Sequence, residues 1–294
     1  MELPHPADRL AREVGIPDGV INVVPGYGPV TGAALAAHPG LKRLSFTGSP
    51  EVGRSIAEAC GRNLVPVKLE LGGKGAAVVF DDVPLEQTVE KLVQAITFHT
   101  GQVCCDATRW IVHRPIYDRF VSACAERLRQ VKIGYQMAAT TEMGPVVNEK
   151  QRRRVLDYLQ RGRDEGAEVV LEGGAAEVPG RDGFYVKPAL LAGSLDNVAA
   201  REEIFGPVAY LAAFEDEEEA VRMANRDGIN TTMMLVGLRQ GSDYITGRNL
   251  GPRLCRLGVS LHIRFSAGPS IAAVEATSHC FCRLGSRHGL GHHE

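Results

Sequence analysis

Apolar residues follow two alternating patterns along the chain. Short apolar runs typical of strands are followed by stretches in which apolar residues recur every three or four positions, as on one face of a helix. The runs predicted as strands are residues 20–26, 41–49, 65–71, 75–80, 109–113, 167–171 and 207–214. The stretches predicted as helices are residues 29–38, 51–60, 84–99, 114–131 and 148–166. This alternation predicts an α/β fold with a mostly parallel sheet.

Charge and composition restrict the class of partner. The 294 residues include 33 basic and 35 acidic residues with a net charge of −2, which does not favour nucleic acid or an anionic membrane. No apolar run approaches the roughly 20 residues that cross a bilayer, and the first ten residues lack the features of a signal peptide. The seven cysteines show no regular framework. We therefore expect a cytoplasmic protein with reduced thiols and a small-molecule substrate.

Two glycine-containing segments lie where a predicted strand meets a predicted helix. Thr47, Gly48 and Ser49 end one strand, and the backbone N–H groups of a following helix can bind a phosphate. An ordinary helix cap by Ser49 is the favoured interpretation of this segment alone. The glycines of residues 26–32 are spaced one residue wider than the usual dinucleotide fingerprint and indicate little by themselves.

An acid and a cysteine pair are the candidates for chemistry. Glu70 lies near the end of a strand before two glycines, where apolar neighbours could raise its proton affinity and make it a general base. A solvated or paired acid is the commoner interpretation of such a residue. Cys104 and Cys105 are adjacent in a polar segment. An isolated intracellular cysteine is usually an inert thiol.

Four motifs occur together: SFTGSPEVG at 45–53, LELGGKG at 69–75, GQVCC at 101–105 and EEIFGPV at 202–208. In this order and at this spacing they resemble the aldehyde dehydrogenase superfamily. The likeness runs from about residue 15 to about residue 225. It implies an incomplete Rossmann-type dinucleotide-binding domain at 1–72, an α/β catalytic domain at 73–250 and a divergent tail at 251–294.

The resemblance also implies roles for individual residues. Cys104 matches the nucleophile that forms a thiohemiacetal and then a thioester with an aldehyde, and Glu70 matches the general base that activates water. NAD or NADP is the implied cofactor. The residues matched to its binding are Gly48 and Ser49 at the pyrophosphate, Gly72 in the channel, Glu203 at the nicotinamide ribose and Phe205 near the ring. Lys74 matches a further family position whose role could be only structural.

The sequence also departs from the family pattern. Family members carry a further segment of about 150 residues upstream, with an oxyanion-hole asparagine and a lysine–glutamate pair for the adenosine ribose. We find no counterpart here. Losing one oxyanion donor costs about 10² to 10³ in rate, so an inactive fragment is the alternative interpretation, acting as a pseudoenzyme or joining a homo-oligomer or a full-length relative.

The tail departs most. Residues 251–294 hold five arginines, five histidines and three cysteines but only two acids, which a slipped reading frame could leave. A zinc site there is the weaker alternative to an adventitious tail, because the ligand spacing matches no common finger and we expect no bound metal. The residues concerned are His279, Cys280, Cys282, His288, His292 and His293.

Overall fold

The computed structural model describes residues 6–226, 233–236 and 260–261. It divides into two compact units, Met1–Leu71 and Gly72–Glu294. The predicted boundary between residues 72 and 73 lies one residue away. The functions assigned to the domains stay predictions, and almost all of the predicted tail lies outside the described residues.

The first unit contains a small parallel sheet. Its elements are α1 (Pro6–Glu13), α2 (Ala33–Ala36), β1 (Leu44–Gly48), α3 (Pro50–Arg62) and β2 (Val67–Leu71). A π-helical turn, Gly28–Gly32, leads into α2. Strands β1 and β2 pair in parallel with Thr47 opposite Glu70. Helix α3 packs closely on β2, because a side chain at Gly53 would come within 2.6 Å of Leu71.

The strand predicted at residues 20–26 is wrong. This segment is irregular, and the described sheet of the first unit contains only β1 and β2. Val20 and Val24 are 65% and 72% exposed. An apolar run becomes a strand only when a neighbouring backbone accepts and donates its hydrogen bonds, and no described segment does so here.

The second unit is built on a larger sheet. Its elements are β3 (Ala76–Val79), α4 (Leu85–Thr97), β4 (Arg109–His113), α5 (Tyr117–Arg129), α6 (Glu149–Asp164), β5 (Glu168–Ala175), β6 (Val186–Ala192), α7 (Val198–Arg201), β7 (Val208–Phe214), α8 (Glu217–Ala224), β8 (Met233–Val236) and β9 (Ser260–Leu261). The strand order is β5-β6-β7-β4-β3-β8-β9. Only the β5–β6 pair is antiparallel among these described strands.

Helices cover both faces of this sheet. Trp110 and Val112 of β4 belong to an apolar cluster with α4 and α5, whereas Ile111 faces a different cluster with Phe214 and residues of α8. This explains why β4 has continuous apolar residues rather than an alternating pattern. Asn148 starts α6 by accepting a hydrogen bond from the Gln151 N–H at 2.9 Å. The predicted α/β fold with a mostly parallel sheet is confirmed.

Candidate active site

Three of the four motifs lead directly into neighbouring strands of the second unit. The loop Gly72–Gly75 precedes β3, the loop 101–108 precedes β4, and the loop 202–207 precedes β7. These strands are parallel and adjacent in the order β7-β4-β3. Their amino ends therefore lie along the same edge of the sheet, and the three motif loops lie side by side there.

Glycine allows two of these loops to touch through their backbones. Gly101 has a φ of +68°, and a side chain there would overlap the Gly206 carbonyl and come within 2.7 Å of Pro207 N. The GQVCC loop and the EEIFGPV loop are thus in backbone contact. Only glycine combines this left-handed conformation with so close an approach.

The turn before the GQVCC loop contains two residues with a left-handed backbone conformation and is held by hydrogen bonds. His99 and Thr100 have positive φ values of 47° and 58°, which non-glycine residues seldom adopt. Thr100 Oγ1 donates a hydrogen bond to Gly144 O at 3.1 Å. Gln102 donates from Nε2 to His99 O at 2.9 Å and accepts at Oε1 from Val147 N at 2.9 Å. Strained residues held this way recur at functional sites.

The cysteine pair lies in a turn beyond these supports. Cys104 and Cys105 are both free and exposed, whereas Cys60 and Cys124 are buried. Although Cys105 is exposed as a residue, partial desolvation of its thiol raises its pKa, and the neighbouring Cys104 and Asp106 raise it further. Because only a thiolate is an effective nucleophile, Cys105 is the poorer candidate of the pair.

Buried charges lie beneath this edge of the sheet. Lys74 is buried and its Nζ has no hydrogen-bond partner among the described residues. Burial lowers the pKa of Lys74 to about 7, with a further lowering by Arg109 and opposing effects of Glu203 and Asp106. Burial also raises the pKa of Asp106 to about 7, against the effect of Lys74. Arg109, at the start of β4, donates from its guanidinium to Ala224 O at 3.1 Å.

Glu203 lies against the glycine loop before β3. Its Oε1 accepts a hydrogen bond from Gly73 N at 3.3 Å. A side chain at Gly72 would overlap the Glu203 carboxylate, with Cδ only 2.6 Å away. Burial raises the pKa of Glu203, opposed by this hydrogen bond and by Arg154 and Lys74.

Helix α6 holds the EEIFGPV loop in place. Gln151 Nε2 donates to Ile204 O at 3.0 Å and to Phe205 O at 2.7 Å. Arg154 donates to Glu203 O at 2.6 Å. Phe205 is half-buried and has a positive φ of 60°. These polar contacts satisfy carbonyls that no helix or strand uses, so they fix the strained loop.

The first unit contains the remaining matched residues. Gly48 ends β1, and Ser49 Oγ accepts a hydrogen bond from Val52 N at 3.3 Å, so Ser49 is a helix cap. Glu70 is 51% exposed in its side chain and lies 2.9 Å from Lys68 Nζ. Within this unit Glu70 agrees with the commoner interpretation, a solvated or paired acid, because Glu70 and Lys68 share the exposed face of β2.

The described part of the chain contains neither a candidate metal site nor a candidate membrane-spanning helix. Residues 6–226 and the two short strands beyond them contain no group of three or more histidine, cysteine or acidic side chains that could hold a metal ion. The suggested zinc ligands from His279 onward lie outside the described residues. None of the described helices is long and apolar enough to span a membrane.

Sequence reasoning missed several residues that shape this edge. Gln151 and Arg154 are one turn apart on α6, which is ordinary for any exposed helix face, so nothing in the sequence singled them out. Asp106 follows the cysteine pair and looks like a loop acid. For Lys74 the sequence did contain a signal of burial. The residue lies between two glycines at the start of an apolar strand, where a side chain has little access to water.

Comparisons with known proteins agree with the motifs. The profile described as "Aldehyde dehydrogenase family" matches residues 8–237. Betaine aldehyde dehydrogenase of Brucella ovis is 39% identical over 255 residues, covering 82% of this chain and 52% of that protein. Human retinal dehydrogenase 2 is 43% identical over 218 residues, covering 74% of this chain and 42% of that protein.

A solved structure is similar as well. It is a point mutant of betaine aldehyde dehydrogenase from Staphylococcus aureus in complex with NAD⁺, with a cysteine modified by β-mercaptoethanol (BME). Its TM-score is 0.78 at 32% identity, and the match covers 87% of this chain and 51% of that one. The chain thus spans about half the length of the relatives it matches.

Proposed function

The chain belongs to the aldehyde dehydrogenase family, and from that premise we propose that it carries a thiol-dependent site for oxidising an aldehyde to a carboxylic acid, with NAD or NADP as cofactor. The observation that supports this most is the meeting of three motif loops at one edge of the second unit's sheet. Cys104 is an exposed free thiol in one of these loops.

Cys104 is the proposed nucleophile. Its thiolate adds to the carbonyl carbon, a C–S bond forms, and the carbonyl electrons move to oxygen to give an alkoxide. The backbone N–H of Cys104 is the donor that we assign to this oxygen. Loss of hydride from that carbon leaves a thioester on Cys104, and hydrolysis of the thioester releases the acid and restores the thiol.

The cofactor supplies the hydride acceptor when it is bound. The residues near Glu203 fit such a group, because a half-buried carboxylate with one long backbone hydrogen bond can accept hydrogen bonds from ribose hydroxyls. Gly72 leaves room for the Glu203 carboxylate, which a side chain at Gly72 would overlap. Phe205 is the proposed contact for the nicotinamide ring. The NAD⁺ in the similar Staphylococcus aureus structure supports the choice of cofactor.

The proposed pyrophosphate contact at Gly48 and Ser49 is limited by local geometry. Pro50 has no N–H, and the Val52 N–H is already capped by Ser49. The Glu51 N–H and the Ser49 hydroxyl hydrogen are then the donors available to a phosphate in the first turn of α3. Gly48 itself is packed against the Phe46 ring, because a side chain at Gly48 would come within 2.5 Å of Phe46 Cζ.

Glu70 is the proposed general base for thioester hydrolysis. Its carboxylate is half exposed, so a water molecule can reach it directly. The substrate that we propose is the aldehyde group itself. The two named relatives carry the names of aldehydes as different as betaine aldehyde and retinal, so the family relationship supports this class only.

Substituting Cys104 tests this function. We expect Cys104→Ser to abolish reduction of NAD⁺ or NADP⁺ by an aldehyde, and Cys105→Ser, one residue away, to retain most of it. Hydrolysis of an activated ester, with and without cofactor, follows the thiol step separately. Equal loss in both variants, with both folded by circular dichroism, would contradict the assignment of Cys104.

The second candidate is a non-catalytic family member that binds a full-length relative. In that case the folded wild-type protein produces no reduced cofactor and hydrolyses no ester. It would instead co-elute with a full-length relative in size-exclusion chromatography.

A further inference from the structure

Lys74 is buried in the loop that also holds the Glu203 carboxylate. Gly72 packs against that carboxylate, and Gly73 N donates a hydrogen bond to Glu203 Oε1 at 3.3 Å. Lys74 follows directly, with only 2% of its surface exposed. Its Nζ interacts electrostatically with Glu203 but has no hydrogen-bond partner among the described residues. One short loop therefore places both a backbone donor and a buried amine near Glu203.

A structural role alone does not explain the amine of Lys74. A buried polar group stabilises a fold only when hydrogen bonds replace those that it made with water, and no described residue accepts one from Nζ. Methionine has a similar length and would fill the same space without a charge. What lysine adds at this position is therefore a positive charge.

We propose that Lys74 is a positioning residue whose ammonium keeps Glu203 ionised and in contact with Gly73, ready to accept hydrogen bonds from the ribose of the cofactor. Lys74 is buried beneath Glu203 and acts through it. The consequence for cofactor binding rests on the proposed function, whereas the ionisation of Glu203 does not depend on it.

The groups around Glu203 leave this task to Lys74. Burial raises the pKa of Glu203, and three groups lower it. The largest of these is the Gly73 hydrogen bond, followed by the cations Arg154 and Lys74. The Arg154 guanidinium donates hydrogen bonds to Glu203 O at 2.6 Å and to Tyr158 Oη at 3.3 Å. Arginine also stays charged at every pH at which the protein is folded, so Lys74 is the one of these two cations whose charge changes.

The pH dependence has a definite sign. Burial lowers the pKa of Lys74 to about 7, Arg109 at the start of β4 lowers it further, and Glu203 and Asp106 raise it. Lys74 is therefore an ammonium below about pH 7. Glu203 loses its own charge as the pH falls, from a pKa raised above the ordinary 4.5. Lys74 gains its charge on the way to that range, and so extends the ionised state of Glu203 to lower pH.

A carboxyl titration of the full chain without cofactor tests this role. Protein labelled with ¹³C at the glutamate side-chain carboxyl groups shows their ionisation by NMR, and the signal lost in Glu203→Gln identifies Glu203. The test variant is Lys74→Met. Lys187→Met is the matched control, because Lys187 is an exposed lysine of β6 in the same unit and is not among the groups that shift the pKa of Glu203.

We expect Glu203 to titrate at a higher pH in Lys74→Met than in the wild type, because one of the cations that oppose the effect of burial is gone. The Lys187→Met control should titrate like the wild type. Lys74→Met removes a buried charge without a hydrogen-bond partner among the described residues, so we expect it to fold. Circular dichroism at each pH checks that all three proteins are folded.

Calorimetric titration with NAD⁺ measures the consequence for the cofactor. At pH 9 Lys74 is neutral in the wild type and Glu203 is ionised in both proteins, so we expect equal affinities. Below the Glu203 pKa of the variant, each pH unit should weaken its binding by up to about tenfold, and the wild type should follow only at lower pH. The reason is that a protonated carboxyl group is a weaker acceptor for ribose hydroxyls than a carboxylate is.

The proposal is wrong if Glu203 titrates at the same pH in the wild type and in Lys74→Met, or if Lys187→Met shifts the titration equally. A loss of NAD⁺ affinity by the same factor at pH 6 and pH 9 would also contradict it, and would make Lys74 a structural residue. If neither protein binds NAD⁺, the cofactor part of the proposed function fails. The carboxyl titration then still decides how Lys74 acts on Glu203.

Discussion

Lys74 and Asp106 show how burial changes the chemistry of single residues. Lys74 Nζ and Asp106 Oδ2 are buried without hydrogen-bond partners among the described residues. A buried charge without such partners is costly, so the proton equilibria shift toward the neutral forms. Burial therefore lowers the pKa of Lys74 to about 7 and raises the pKa of Asp106 to about 7. The charges that face Lys74 are Arg109, Glu203 and Asp106.

The lowered pKa of Lys74 predicts how the free energy of unfolding changes with pH. The pKa of Lys74 is about 7 when folded, below its ordinary value of 10.5, so between these limits only the unfolded chain binds the proton. Lys74 therefore costs stability below about pH 7, and the cost disappears as the pH rises. Lys74→Met should be the more stable protein at pH 6, by on the order of a few kcal/mol, and lose this advantage by pH 10.

Urea unfolding of the wild type and of Lys74→Met from pH 6 to pH 10 measures this difference in stability. Ionisable groups far from position 74 titrate alike in the two proteins and cancel in the comparison. Asp106→Asn is the companion variant. Asp106 has a raised pKa and so costs stability above about pH 7, a cost that disappears as the pH falls. Parallel stability curves for wild type and Lys74→Met would contradict the burial of an ionisable amine.

At the scale of elements, the site depends on how loops meet before strands. The loops before β4 and β7 touch through glycine backbones, and α6 holds the loop before β7 by hydrogen bonds to its carbonyls. Three of the four described non-glycine residues with a positive φ, at positions 99, 100 and 205, lie in these loops or directly before them, and the fourth is Leu64. The strands and helices supply rigid positions from which such loops can be held.

Gly101→Ala tests the backbone contact, and Gly166→Ala is its matched control. Both glycines have positive φ values, +68° and +85°, but a side chain at Gly166 would meet nothing within 4 Å. The control should lose about 1 kcal/mol through backbone strain alone. Gly101→Ala should lose at least about 3 kcal/mol, because the rigid backbone at Gly206 cannot move aside. Chemical denaturation compares the two, and equal losses would exclude a close contact.

At the scale of the whole molecule, the two units differ in how much core they contain. All three described apolar clusters consist of residues from the second unit. Among the described residues of the first unit, the buried apolar ones are Ala36, Cys60 and Val65. A two-stranded sheet with so little buried apolar surface gains little stabilisation from the hydrophobic effect.

Hydrogen exchange should reveal this difference. We expect the amides of β1 and β2 to exchange at least about tenfold faster than those of β4 and β7, since local opening is easier where few apolar groups are buried. Mass spectrometry of peptides covering residues 44–71, 109–113 and 208–214 provides the comparison. Equal protection in both sets would show that the first unit is stabilised by contacts other than its own core.

The sequence by itself determined most helices and strands and the family of the chain. Apolar periodicity is local, and capping residues such as Asn148 act within one turn, so α3 to α6 and β1 to β4 were predicted close to their bounds. The motifs could be recognised because each is a short contiguous stretch. The roles of Cys104, Glu70 and the cofactor residues came from that likeness and stay predictions.

Tertiary structure decided what depends on residues far apart in the chain. Residues 20–26 have a strand's composition but no strand beside them, and Lys74 becomes buried only because β3 lies within a sheet covered on both faces. The contact of Gly101 with Gly206 joins loops about one hundred residues apart. Whether a residue is buried, paired in a sheet or in contact with another loop depends on residues that are near in space but distant in the sequence. The local sequence pattern therefore does not determine these features.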